Sequence, residues 1–282
     1  MKIEFLGTGG ATAIPRPLCG CPVCEEAREI GVPYSRSGPS LFVHDLNLLI
    51  DTPEDIYMQI NRSAIRQVDG ILYSHWHPDH VMGRRIVETL NADWKHHPPK
   101  PRMTDIYLPK QVAVDFERFL GSGDHFAFFE QQGFASIREL KDGDSFWIKD
   151  TIITPFRLAE DYVYAFLLEN ARKKVLIAMD ETNGWKPDKS LQGVDLAILP
   201  AGVFETNPLT GERLFQEDHP VLKEECTFAE TLDILKALQP KKAILTHIEE
   251  VNGLSHDELK KIEKQLAGLN VEFAYDTLII DL

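Results

Sequence analysis

Residues 74–80 read Ser-His-Trp-His-Pro-Asp-His and follow directly on the apolar run Gly-Ile-Leu-Tyr at 70–73. In extended backbone alternate side chains share a face, so His75 and His77 converge on one point. Pro78 then changes the chain direction, and Asp79 and His80 open a helix that faces a second point. A polar surface loop would tolerate the same residues. Yet four ligand-type side chains within six positions are the donors that a bound metal requires. No other segment constrains the chain as tightly.

Around this cluster, short apolar runs recur at 2–6, 40–44, 47–50, 70–74, 105–108, 145–149, 152–158, 163–168, 174–179, 196–200, 243–246 and 271–275, which predicts strands. Helical patterns fall at 53–63, 110–120, 227–238 and 255–266, the first with Thr52 as a cap before Pro53. Strands come first in pairs and then alternate with helices, so the expected fold is α/β, two packed sheets with helices outside. No linker divides residues 1–282, which read as one domain. The proline-rich stretch 96–102 reads as a loop, and the irregular stretch 201–222 as a lid. Two similar strand-to-aspartate turns, LLIDTPED at 48–55 and VLIAMDETNG at 175–184, hint at internal duplication. The phenylalanine-rich segment 123–134 is expected to serve packing rather than a specificity wall.

The chain has 282 residues, 43% of them hydrophobic, ample for a buried core. With 30 Lys and Arg against 44 Asp and Glu, the formal charge is −14, which disfavours nucleic acid as a partner and leaves room for a small anionic metabolite. No window approaches the ~20 apolar residues that span a membrane, and residues 1–10 have no apolar signal core. Three of the four cysteines, Cys19, Cys21 and Cys24, lie within six residues. That spacing suits one structural zinc in a reducing, cytoplasmic setting better than a disulfide framework, and it needs a fourth donor from elsewhere.

The H-x-H-x-D-H signature formed by His75, His77, Asp79 and His80 resembles the metallo-β-lactamase superfamily. The resemblance implies a four-layer αββα sandwich with two catalytic divalent cations (Zn, Mn or Fe) at one edge. It further implies Asp180 as a bridging ligand after the strand KVLIAM, His247 as the last ligand after KAIL, and Asp51 as a supporting acid after NLLI. The family's usual middle histidine is replaced here by the segment FRLAEDYVYAF, with Glu160 at that place; a carboxylate there would tilt preference toward manganese or iron. The N-terminal LGTGGATAIP with the cysteine loop at 17–25 resembles a PhnP/PqqB-like branch. For the fourth zinc ligand, His247, Cys226 and Glu250 all stand open. In function, the resemblance implies a metal-dependent hydrolase, first a phosphodiesterase acting on a small, even cyclic, phosphodiester. Alternatives are a PqqB-like iron oxygenase or accessory protein, or a hydrolase of a non-phosphate ester or lactone. Asp79, His219 and Cys226 are the candidate catalytic side chains beyond the ligands, and a homodimer stays open.

Overall fold

The computed structural model describes residues 1–97, 102–121 and 123–282. Its strands run β1 (Lys2–Gly7), β2 (Ser40–Val43), β3 (Leu48–Ile50), β4 (Gly70–Leu72), β5 (Thr104–Pro109) and β6 (Ala135–Leu140), then β7 (Phe146–Ile148), β8 (Thr151–Arg157), β9 (Tyr164–Glu169), β10 (Lys174–Ile177), β11 (Leu196–Pro200), β12 (Ala243–Thr246), β13 (Val271–Phe273) and β14 (Ile279–Asp281). One sheet has the order β14-β1-β2-β3-β4-β5-β6 and the other β13-β12-β11-β10-β9-β8-β7. Helices are α1 (Pro22–Ile30), α2 (Ile56–Arg62), α3 (Pro78–Val81), α4 (Ile86–Asn91), α5 (Lys110–Leu120), α6 (Gly123–Gln131), α7 (Val221–Glu224), α8 (Phe228–Leu238) and α9 (His256–Gln265). None is long and apolar enough to cross a membrane among the described residues.

Strand alternation builds the layers. Along β9, Tyr164, Phe166 and Leu168 join a core shared with Phe5, Leu41 and Ile50 of the first sheet, whereas Ala165 and Leu167 join a second core under α8 and α9. Both faces of such strands are buried, which is why they read as continuous apolar runs. The first sheet's other face is covered by α2, α5 and α6 through Ile56, Phe116 and Phe129. The result is the expected mixed α/β arrangement of two sheets between helices.

The two sheets repeat one plan. Antiparallel β1-β2-β3 continues into parallel β4, β5 and β6, as antiparallel β8-β9-β10 continues into parallel β11, β12 and β13. The turns bearing Asp51 and Asp180 therefore leave equivalent strands, β3 and β10.

Several expectations are corrected. Thr52 does not cap α2, which begins at Ile56; its hydroxyl instead pairs with the Tyr73 hydroxyl at 2.9 Å. Edge strands β6 and β14 were not anticipated, because β6 exposes Arg138 and Glu139 and β14 has three residues. The phenylalanine-rich segment is α6, with Phe126 and Phe129 in the core. The cysteine loop runs into α1, so Cys21 and Cys24 share one face at i, i+3 spacing. In the expected lid, residues 201–204 are buried, with Phe204 stacked on Phe228 at 4.1 Å, so any lid is confined to the stretch beyond them. Of the expected loop 96–102, residues 98–101 lie outside the described residues.

Helix α8 carries the first-turn apparatus that holds the second core. Thr227 accepts the Glu230 N–H, and Glu230 reaches back to the Thr227 N–H at 2.9 Å. Thr227→Ala removes half of this reciprocal cap and is expected to cost about 1 kcal/mol. The check is a lower urea midpoint at unchanged slope.

Candidate metal centres

The strand ends deliver the donors. The turn after β4 places His75 and His77, and α3, opened by Pro78, carries Asp79 and His80. Asp180 follows β10 and His247 follows β12. Two groups result: His75, His77 and Asp180, and then Asp79, His80, Asp180 and His247, with donor atoms in each within 4.8 Å of one another. Asp180 belongs to both. Its Oδ2 lies 3.4 Å from His75 Nε2, 3.3 Å from His80 Nε2 and 3.4 Å from His247 Nε2. Asp79 Oδ2 lies 3.4 Å from the same nitrogens of His80 and His247, which are themselves 3.3 Å apart.

The opposite imidazole nitrogens are held from behind. His80 Nδ1 meets Asp51 at 2.8 Å, and Asp51 also accepts the Ser74 N–H and hydroxyl at 2.8 and 2.6 Å. Ser74 Oγ reaches His75 Nδ1 at 3.0 Å, and Glu249 reaches His247 Nδ1 at 3.1 Å. Such partners fix the tautomer, so that the free nitrogen points at the metal position.

The chemistry of the donors fits divalent cations. Buried His75 Nε2 has no hydrogen-bond partner. Burial works against ionisation of Asp79 and Asp180, yet the neighbouring histidines hold both carboxyls well below the usual range. Conversely, burial opposes charge on His80 and His247, and the facing acids nonetheless raise both. Two cations would satisfy these carboxylates without protonating the imidazoles. His77 differs: burial and His75 push it down to about 4, leaving a neutral donor. Its side chain is 27% exposed and marks the open side of the centre.

A third donor group lies at the N-terminal loop. Glu250 Oε1 stands 3.1 Å from Cys19 Sγ and 3.4 Å from Cys21 and Cys24 Sγ. Three thiols and a carboxylate within 4.8 Å of one another suit one tetrahedral zinc. Among the three candidates for the fourth ligand, the structure places Glu250 there. His247 falls instead in the group with Asp79, His80 and Asp180.

The remaining expected residues fall outside these groups. Glu160 is half-buried and joins neither histidine group. The Tyr162 ring comes closer, 6.3 Å from His75 and 5.5 Å from His77, and Glu181 Oε1 is 3.4 Å from His77 Nδ1. His219 is exposed, accepting the Val221 N–H at 3.2 Å beside Phe215. Cys226 is buried against Thr231, its thiol pushed up to about 11 by burial, too weak an acid for proton transfer at neutral pH. Sequence reasoning missed its neighbour Glu225. Burial and the fields of Asp180 and Glu249 raise that carboxyl to about 7. Glu181 and Glu249 were missed too, although each sits within two residues of a recognised donor.

These geometries accompany a family match. The beta-lactamase superfamily domain matches residues 46–248, well over half the chain, and the chain belongs to that superfamily. It is thus a protein of the divalent-metal-dependent metallo-β-lactamase hydrolase fold. Among curated proteins, it is 26% identical over 186 residues to ribonuclease Z of Archaeoglobus fulgidus, covering 61% of this chain and 49%, about half, of that relative. Two solved structures superpose with TM-score 0.72: a diphosphatase from the PhnP family, 21% identical over 100% of this chain and 97% of its own, and Zn(2+)-bound PqqB from Methylobacterium extorquens, 14% identical over 100% of both. Human tRNase Z, short form, follows at TM-score 0.63 and 18% identity, over 100% and 99%. At these identities the structural likeness is one of fold.

Two outcomes test the assignment. Asp51→Ala frees His80 and Ser74 together and is expected to weaken metal retention by about 10- to 100-fold, read by mass spectrometry after dialysis against a graded chelator. Glu160→Gln in the same assay is expected to leave the metal content unchanged; loss of one ion would return Glu160 to the ligand set.

Proposed function

We propose that the protein is a metal-dependent phosphodiesterase acting on a small phosphodiester. The observation that carries this reading is the sharing of Asp180 between two donor groups, with the centre open at His77. When bound, a cation pair polarises a phosphoryl oxygen and lowers the pKa of water at the centre. The chain's own residues do the rest. Asp51, Ser74 and Glu249 orient the imidazoles, and Tyr162 and Glu181 border the open side beside His77. Glu225, half-buried and with its carboxyl raised to about 7 by burial and the charges of Asp180 and Glu249, is the acid this reading assigns to the leaving oxygen.

Support comes from relatives as well: a diphosphatase of the PhnP family shares the fold along the whole chain, and a ribonuclease Z shares sequence over 186 residues. RNA itself is disfavoured as substrate. The chain carries a formal −14, which opposes a polynucleotide's many phosphates more than a single small diester. A second reading, an iron-dependent oxygenase, draws on Glu181 and Tyr162, which would offer a harder ion a carboxylate and a phenol beside His77.

The test is hydrolysis of bis(p-nitrophenyl) phosphate with zinc or manganese. Asp180→Asn and His77→Ala are each expected to slow it by about 100-fold or more. Absence of turnover across small phosphodiesters, alongside cleavage of RNA or consumption of oxygen with iron, would overturn the proposal. Leaving groups then test Glu225. Glu225→Gln is expected to spare p-nitrophenyl esters, whose leaving group needs no proton, and to slow alkyl diesters by about 100-fold or more.

A further inference from the structure

Four consecutive residues, 247–250, serve both metal centres. His247, at φ +50°, gives Nε2 to the histidine centre and Nδ1 to Glu249. Glu250, three residues on, sits among the three thiols. The link between them is held without slack. The Ile248 N–H donates to the Thr8 carbonyl at 2.9 Å, and the Gly10 N–H donates to the Ile248 carbonyl at 3.1 Å. The Ala11 N–H donates to Glu249 Oε1 at 3.1 Å, the same oxygen that holds His247. A Cβ on Gly10 would fall 2.1 Å from that oxygen, so a side chain there would push the Glu249 carboxylate aside. From residue 11 the chain continues to the cysteines, pinned on the way by Ile14 and Arg36, which exchange backbone bonds at 2.8 and 2.7 Å.

We infer that cation binding at Cys19, Cys21, Cys24 and Glu250 is coupled to cation binding at Asp79, His80, Asp180 and His247, with Glu249 and Glu250 as the positioning residues. A cation among the thiols fixes Glu250. That holds residues 247–250 in register with 8–11 and keeps His247 in its left-handed backbone conformation, which an unrestrained histidine would leave. Loss of the thiol-bound cation frees Glu250 and lets His247 relax away from Asp79 and Asp180. The converse is required by linkage: filling the histidine centre must strengthen the thiol centre by the same factor. The inference rests on both groups taking divalent cations, and not on the reaction they support.

The experiment uses the full chain and zinc, with no substrate. Zinc affinity of the histidine centre is measured by competition with a chromophoric chelator, and thiol protection by the rate of N-ethylmaleimide modification. Glu250→Gln is expected to weaken zinc at the histidine centre about tenfold, and Asp79→Asn to speed thiol modification at limiting zinc by a similar factor. Gly10→Ala, which removes no donor, is expected to weaken both centres and provides a second route if Glu250→Gln does not fold. Histidine-centre affinity within twofold of the parent in the folded variants would overturn the coupling. So would thiol modification that ignores the state of the histidine centre. Neither measurement uses a substrate, so failure of the coupling is distinguishable from failure of the phosphodiesterase reading.

Discussion

One oxygen of Asp180 faces three imidazole nitrogens, from His75, His80 and His247, within 3.4 Å. An arrangement of that kind is costly in a buried setting, because neither protons nor water can satisfy so many acceptors and donors at once. Divalent cations can. The rest of the architecture is arranged to deliver these groups to one place. His75 and His80 come from the first sheet, Asp180 and His247 from the second, and the shared core under Phe5, Phe166 and Ile198 sets the distance between the two edges. Each sheet contributes an aspartate from an equivalent strand end, Asp51 behind the site and Asp180 at its centre.

Precision at the strand ends carries an energetic penalty. Asp51, Glu181 and His247 all adopt positive φ, at +59°, +51° and +50°. A non-glycine residue in that conformation costs on the order of 1 kcal/mol or more, and persists only where surrounding contacts over-determine it. Those contacts are visible: Asp51 is held by Ser74 and His80, and His247 by Glu249 and the donor group. At these three turns the conformation falls on residues that bear, adjoin or orient donors, whose contacts hold it in place.

The legibility of the sequence obeys the same division. His75, His77, Asp79, His80, Asp180 and His247 could be read because each adjoins an apolar strand whose burial shows in its composition. The middle of the site could not. Tyr162 and Glu160 share one short turn between β8 and β9, and only the path of the backbone decides that the ring, not the carboxylate, approaches His75 and His77. Glu225 and Cys226 are adjacent too, and between α7 and α8 the acid is left half-buried while the thiol is buried against Thr231. Choices between neighbours are set by tertiary geometry, to which periodicity is blind. The same limit left the fourth donor of the thiol group open until Glu250 was seen among the thiols.

A carboxylate in that position alters the charge balance of the thiol centre. Around a divalent cation, three thiolates and Glu250 would bring four negative charges against two positive, where a neutral histidine in place of Glu250 would leave the excess at one. The chain answers locally. Arg16 stands 3.7 Å from Glu250 Oε2, its backbone N–H donates to Cys24 Sγ at 3.2 Å, and the Cys21 N–H approaches Cys19 Sγ at 3.5 Å. Arg28 clamps the same turn, donating to the Cys19 carbonyl at 2.6 Å and the Arg16 carbonyl at 2.9 Å. The guanidinium of Arg16 is half-exposed, so water screens much of its attraction and the compensation is partial. A centre left with residual negative charge draws its stability from the geometry that holds its donors together, and that geometry is the one that also orients His247.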